Sequence, residues 1–183
     1  MEHTQPHRKL MRRQDVAGHV RYVTFSCCKR LPLFDGDEVK RIFVDRLGWL
    51  IEHMPVGLLA WAVMPEHVHL MLLPNMHHTS MSKLMIALKR PVSRTVLDHW
   101  RSLGEDGLDR VKDRGDRPHF WQPGGGYDRN IVTEHELREK VTYIHENPVR
   151  RGLANRSVDW RWSSARFYLD HATYHGPRIT PIG

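Results

Sequence analysis

The chain has 183 residues, a formal charge of +7, and 40% hydrophobic against 27% charged residues. That balance suits one compact globular domain and excludes a disordered or fibrous chain. The longest wholly apolar run, residues 58–64, is too short to cross a bilayer, and the adjacent Cys27 and Cys28 are poor disulfide partners, so a cytoplasmic protein with no membrane partner is expected. Residues 1–18 read as a basic arm without periodicity. Residues 19–28, with Val20, Tyr22, Val23, Thr24 and Phe25, predict a strand, and residues 30–36 predict a turn around Pro32 and Gly36. Residues 37–54 have helical spacing, with Val39, Ile42, Phe43, Leu47, Leu50 and Ile51 on one side. Residues 56–64 and 67–73 predict two strands joined at Pro65-Glu66, a hairpin at the centre of a sheet. Residues 80–100 predict a second helix with a break or kink at Pro91.

Residues 103–118 are charged and glycine-bearing, with little to bury, and predict a mobile loop. Residues 120–122 and 127–132 suggest one strand interrupted by Pro123-Gly124-Gly125-Gly126. Residues 133–147 predict a third helix, opened by the capping box Thr133-x-x-Glu136 and stopped by Pro148. The order β-α-β-β-α-β-α predicts an α+β fold, an antiparallel sheet with helices packed on it. Three segments result: a basic arm (residues 1–18), a central domain (19–149) and an aromatic, basic tail (150–183). The charge follows this division. Residues 1–30 hold seven basic and two acidic side chains, and the tail holds six arginines against Asp159 and Asp170, while the middle is slightly acidic. Basic flanks suit a polyanion such as nucleic acid, or simply solubility.

The sharpest chemical feature is His67-Val68-His69. Side chains alternate across a strand, so both imidazoles share a face, where as neutral rings they can hold one divalent metal. The competing reading is a solvated pair, but the strand is otherwise apolar, and buried histidines need partners. On the third helix Leu137, Val141 and Ile144 form the core stripe, while Glu136, Lys140, Tyr143 and Asn147 cluster on another face. Tyr143 and Asn147 lie one turn apart. A tyrosine hydroxyl can act as a covalent nucleophile, and an amide oxygen is a hard metal ligand. Imidazole with oxygen donors fits Mg²⁺ or Mn²⁺, where three histidines or several thiolates would argue zinc.

Four stretches occur in an order that resembles a known family. They are Pro65-Glu66-His67-Val68-His69, Phe120-Trp121-Gln122, the run from Tyr143 through Asn147-Pro148-Val149-Arg150-Arg151-Gly152-Leu153, and Trp160-Arg161-Trp162-Ser163-Ser164. Together they resemble the REP-associated tyrosine transposases, which are single-tyrosine HUH transposases named for two histidines flanking a hydrophobic residue. The resemblance implies a ferredoxin-like sheet and a transposase-type endonuclease and strand transferase acting on single-stranded or hairpin DNA. It implies Tyr143 as nucleophile, through a transient 5′-phosphotyrosine, with His67 and His69 as the metal pair and Asn147 completing the site. The implied substrates are foldback hairpins of repetitive extragenic palindromes.

Around that centre, Lys140 can assist the phosphate or simply be a solvated helix lysine. Arg8, Lys9, Arg12 and Arg13 in the arm, with Arg150 and Arg151, are candidate phosphate contacts. Trp121 is a candidate base-stacking residue. Trp160 and Trp162 either stack bases or pin the tail. Two other functions stay open: a non-catalytic hairpin-DNA-binding regulator on the same fold, and a metal-dependent phosphohydrolase that activates water. The chain can act as a monomer or a homodimer.

Overall fold

The structure is a computed structural model that describes residues 16–104, 107–113, 115–124 and 126–182. The candidate arm contacts Arg8, Lys9, Arg12 and Arg13 lie outside the described residues. Four strands, β1 (Val20–Ser26), β2 (Val56–Val63), β3 (His67–Pro74) and β4 (Tyr127–Ile131), form one antiparallel sheet in the order β2-β3-β1-β4. With α1 (Asp37–His53) between β1 and β2 and α2 (Met81–Ser102) after β3, this is the α+β, ferredoxin-like arrangement. A short α3 (Gly107–Arg110) precedes β4, and α4 (Glu134–Arg150) and α5 (Ala165–Leu169) follow it.

The sheet is buried on both faces because its central strands are apolar on both. Val23, Phe25, Val68, Leu70 and Leu72 pack with Phe43, Leu47 and Leu50 of α1 and with Leu84, Leu88 and Val92 of α2. The opposite face presents Tyr22, Ala60, Ala62 and Met71 to Val141 and Ile144 of α4. The register shift between Leu58 and Ala60 on β2 inserts an extra residue. Leu59 therefore joins Ala60 on the α4 side while Leu58 and Trp61 stay on the other. Buried Arg21 joins β1 to β4: Nε donates to Asp128 Oδ1 at 2.9 Å and Nη1 to Asn130 Oδ1 at 2.9 Å.

Neither proline ends its helix. The second helix continues through Pro91 without interruption to Ser102. Proline has no N–H to donate back to Ala87, but Arg46 Nε of α1 donates to that carbonyl at 2.9 Å. The lost bond is thus replaced from the neighbouring helix. Arg46→Ala should lower stability by about 1–2 kcal/mol in urea unfolding, and the loss should shrink in an Arg46→Ala/Pro91→Ala double variant, whose helix can close its own bond. The third predicted helix also runs past its proline, to Arg150. It ends in a Schellman motif: Gly152 N–H donates to Val149 O at 2.9 Å and Leu153 N–H to Pro148 O at 2.9 Å, with Gly152 at φ +67°. Thr133 caps its start, accepting from Glu136 N–H at 3.2 Å.

The described part of residues 103–118 buries more than expected: it contains α3 and the fully buried Val111, whose carbonyl accepts from His119 N–H at 2.9 Å. The tail lies along β2. Val63 N–H donates to Trp162 O at 2.9 Å, Ser164 N–H to Trp61 O at 3.0 Å, and Thr180 N–H to Leu58 O at 2.7 Å. Trp160 Nε1 donates to Val63 O at 3.0 Å and Trp162 is buried, so both tryptophans pin the tail. Among the described residues no helix is long and apolar enough to cross a membrane.

Candidate active site

His67 and His69 lie on the central strand β3, opposite Ser26 and Thr24 of β1. Alternation turns both towards α4, where they are buried. Their Nε2 atoms are 2.8 Å apart with the rings nearly perpendicular, and Asn147 Nδ2 is 2.9 Å from His69 Nε2. The nitrogen and oxygen of an amide are assigned from their surroundings, so a half-turn of Asn147 presents Oδ1 at the same point. Behind the site, His69 Nδ1 meets Tyr22 Oη at 2.9 Å and Thr24 Oγ1 at 2.8 Å. A hydrogen on Nδ1 shared with these oxygens leaves the Nε2 lone pair free for the cleft.

The electrostatics keep both rings neutral. Burial pushes His69 down to about 3, and the neighbouring His67 adds to the effect. Burial also lowers His67, opposed by Glu66, whose Oε1 lies 3.1 Å from His67 Nδ1 as a close pair without hydrogen-bond alignment. Burial alone would raise the Glu66 carboxyl, but His67 and Arg151 outweigh it and hold the carboxyl below its ordinary range. Arg151 pairs with Glu66 at 2.8 Å, tying the end of α4 to the β2–β3 turn.

The donor set fits a divalent cation. Ligand atoms about 2.1 Å from an octahedral cation and at right angles to one another are about 3.0 Å apart. The two distances to His69 Nε2 match that spacing. Among the described residues no three His, Cys, Asp or Glu side chains are arranged to hold a metal ion by themselves. The Asn147 amide, one helical turn beyond Tyr143, is the neighbouring group able to offer a third donor.

Tyr143 is 36% exposed, its ring 5.8 Å from that of His69 and edge-on to it. The Arg150 guanidinium carbon is 5.1 Å and Lys140 Nζ 5.6 Å from the Tyr143 ring centre. His67, His69, Lys140, Tyr143, Asn147, Arg150 and Arg151 thus line one cleft of about 610 Å³. Positive charge beside an exposed tyrosine suits a phosphodiester. Trp121 stands apart. It is 8% exposed, packs edge-on against Phe25 and Phe120 in the core on the α1/α2 side, and donates from Nε1 to Lys89 O at 2.9 Å.

Five cleft residues had no assigned role from sequence: Tyr22, Thr24, Ser26, Arg30 and Tyr127. The alternation of β1 puts Tyr22, Thr24 and Ser26 on one face, but only the pairing with β3 reveals that this face carries the histidines.

Comparison with known proteins shows what the chain is similar to. Residues 17–147 match the family model for IS200-like transposases. A solved REP-associated tyrosine transposase bound to a REP hairpin is similar over 94% of this chain and 92% of its own, at 20% identity and a TM-score of 0.68. A candidate transposase from Deinococcus radiodurans R1 aligns over 75% of this chain and 97% of its own, at 19% identity and a TM-score of 0.48. No curated protein matches in sequence.

Proposed function

This chain belongs to the IS200-like transposase family, and from that premise we propose that it cleaves and rejoins single-stranded DNA with Tyr143 as the nucleophile. The observation that carries the reading is one cleft holding an exposed tyrosine beside two buried, neutral histidines and a turn-spaced asparagine. His67, His69 and Asn147 would hold the cation, Mg²⁺ or Mn²⁺. When bound, it supplies Lewis-acid polarisation of a phosphate oxygen.

The remaining steps belong to the chain itself. Lys140 and Arg150 draw the phosphodiester against Tyr143. The Tyr143 oxygen attacks phosphorus in line, the bond to the 3′-oxygen breaks, and the leaving oxygen ends as a free 3′-hydroxyl. The net proton transfer runs from the phenol to that oxygen. The product is a 5′-phosphotyrosine, and attack by another 3′-hydroxyl reverses the step and returns the proton to Tyr143. Tyr22 and Thr24 hold the His69 ring, and Glu66 and Arg151 hold the turn that presents His67. The substrate class is hairpin or single-stranded DNA, because the similar structure carries a REP hairpin. The basic arm and tail would add phosphate contacts on either side.

The test is a hairpin oligonucleotide labelled at its 3′ end, incubated with the protein and Mn²⁺ or Mg²⁺ and run on a denaturing gel. The expected result is label migrating with the protein until it is digested by a protease. Cleavage to a free 5′-phosphate with no such band would overturn the tyrosine chemistry. Tight binding without cleavage would point to a hairpin-binding regulator.

A further inference from the structure

The active cleft does not end at the metal-ligand triad. A second cleft of about 610 Å³ shares Thr24, Ser26, Arg30 and Tyr127 with it and continues past Lys29, Gln122 and Gly126. Resting on the reading that the partner is DNA, we propose that Tyr127 and Arg30 form a subsite for one unpaired nucleotide beside the scissile phosphate. Tyr127 stacks the base and Arg30 pairs with the adjoining phosphate.

Three features support the assignment. Tyr127 is 43% exposed where the two clefts meet, opposite Thr24 in the sheet, with its ring edge-on to Tyr22 at 5.8 Å. It offers the open aromatic face that the buried Trp121 lacks. Its placement depends on Gly126, at φ +71°, where a Cβ would collide with the Thr24 carbonyl. Only glycine lets the chain come this close to β1 and start β4 at Tyr127. Gly126 is therefore part of how this strand is built.

The third feature is the backbone that carries Arg30. Lys29 and Arg30 are consecutive non-glycine residues in the left-handed region, at φ 53° and 54°. That strained turn is held by Lys29 N–H donating to Gln122 Oε1 at 2.8 Å, Lys29 Nζ donating to Arg110 O at 3.0 Å, and Arg30 N–H donating to Cys27 O at 3.0 Å. Strain of this kind persists where surrounding structure enforces it, and here it sets an exposed guanidinium on the wall common to both clefts. A planar cation and an open aromatic ring at one junction match the two halves of a nucleotide, phosphate and base.

The test measures binding in EDTA, so that cleavage plays no part. Two probes are compared: a hairpin with a short single-stranded extension, carrying 2-aminopurine at the nucleotide nearest the stem, and the same hairpin without the extension. Tyr127→Ala should weaken binding of the extended probe about tenfold and restore its 2-aminopurine fluorescence, leaving the blunt hairpin unaffected. Tyr127→Phe should keep both affinity and quenching, which also guards against misfolding. Arg30→Gln should weaken the extended probe alone and reduce the salt dependence of its binding. Unchanged binding by Tyr127→Ala, or equal losses on both probes, overturns the subsite while the wild-type protein still binds DNA. A wild-type protein that binds neither probe overturns the DNA reading itself.

Discussion

Tyr143→Phe should abolish the covalent protein–DNA band and slow strand cleavage by at least about 10³-fold, while leaving folding and hairpin affinity unchanged. The change removes one oxygen. Among the described residues no hydrogen bond holds that oxygen, and the ring is 36% exposed, so the fold has little to lose. Tyr22 is the informative contrast: its hydroxyl sits 2.9 Å from His69 Nδ1, and it is buried. Tyr22→Phe should weaken the site by loosening His69 and still yield the covalent band. Denaturing gels with 3′-labelled hairpin, alongside urea unfolding and binding measurements, separate the two variants. Cleavage that survives in Tyr143→Phe would mean that water is the nucleophile and that the protein is a phosphohydrolase.

Acid should destabilise the protein progressively below about pH 6.5. Burial holds His69 down to about 3 and His145 down to about 4, whereas in the unfolded chain both titrate near 6.5. Between those values the unfolded state binds protons that the folded state refuses. Stability is therefore full above pH 6.5 and falls as the pH drops towards 4, by up to about 1.4 kcal/mol per unit for each histidine. At pH 5 the two together amount to a loss on the order of 3–4 kcal/mol, a large share of a typical domain's total. Among the described residues His145 makes one side-chain hydrogen bond, Nε2 with Ser164 Oγ at 2.8 Å, so His145→Gln can keep that contact and should remove about half of the pH dependence. Urea unfolding at pH 7.5 and pH 5 in EDTA measures it, and parallel curves for the two proteins would refute the assignment.

Much of this fold was legible because its signals are local. The apolar stripes on α1 and α4 and the alternation on β3 directly reported burial, and they placed the two histidines and Tyr143 on the faces they occupy. Partners supplied from elsewhere in the chain were not legible. Pro91 reads as a breaker until Arg46 of another helix is seen to satisfy Ala87, and Pro148 does so until the Gly152 cap is seen to close α4 behind it. A tryptophan is equally at home in a core and under a base, so Trp121 could not be told apart from Tyr127 by residue type. Tyr22 and Thr24 became part of the site only through the register of β1 on β3, a pairing between residues almost fifty positions apart.

The tail that lies along β2 also bears on how the molecule comes into being. Until residues 162–180 have been synthesised, β2 is a free sheet edge with unpaired N–H and C=O groups at Leu58, Trp61 and Val63. An apolar edge of this sort accepts strands from other chains as readily as its own. Residues 162–180 therefore seal this edge of the sheet against other chains. A truncation before Trp160 would endanger solubility well before it touched the cleft that holds Tyr143.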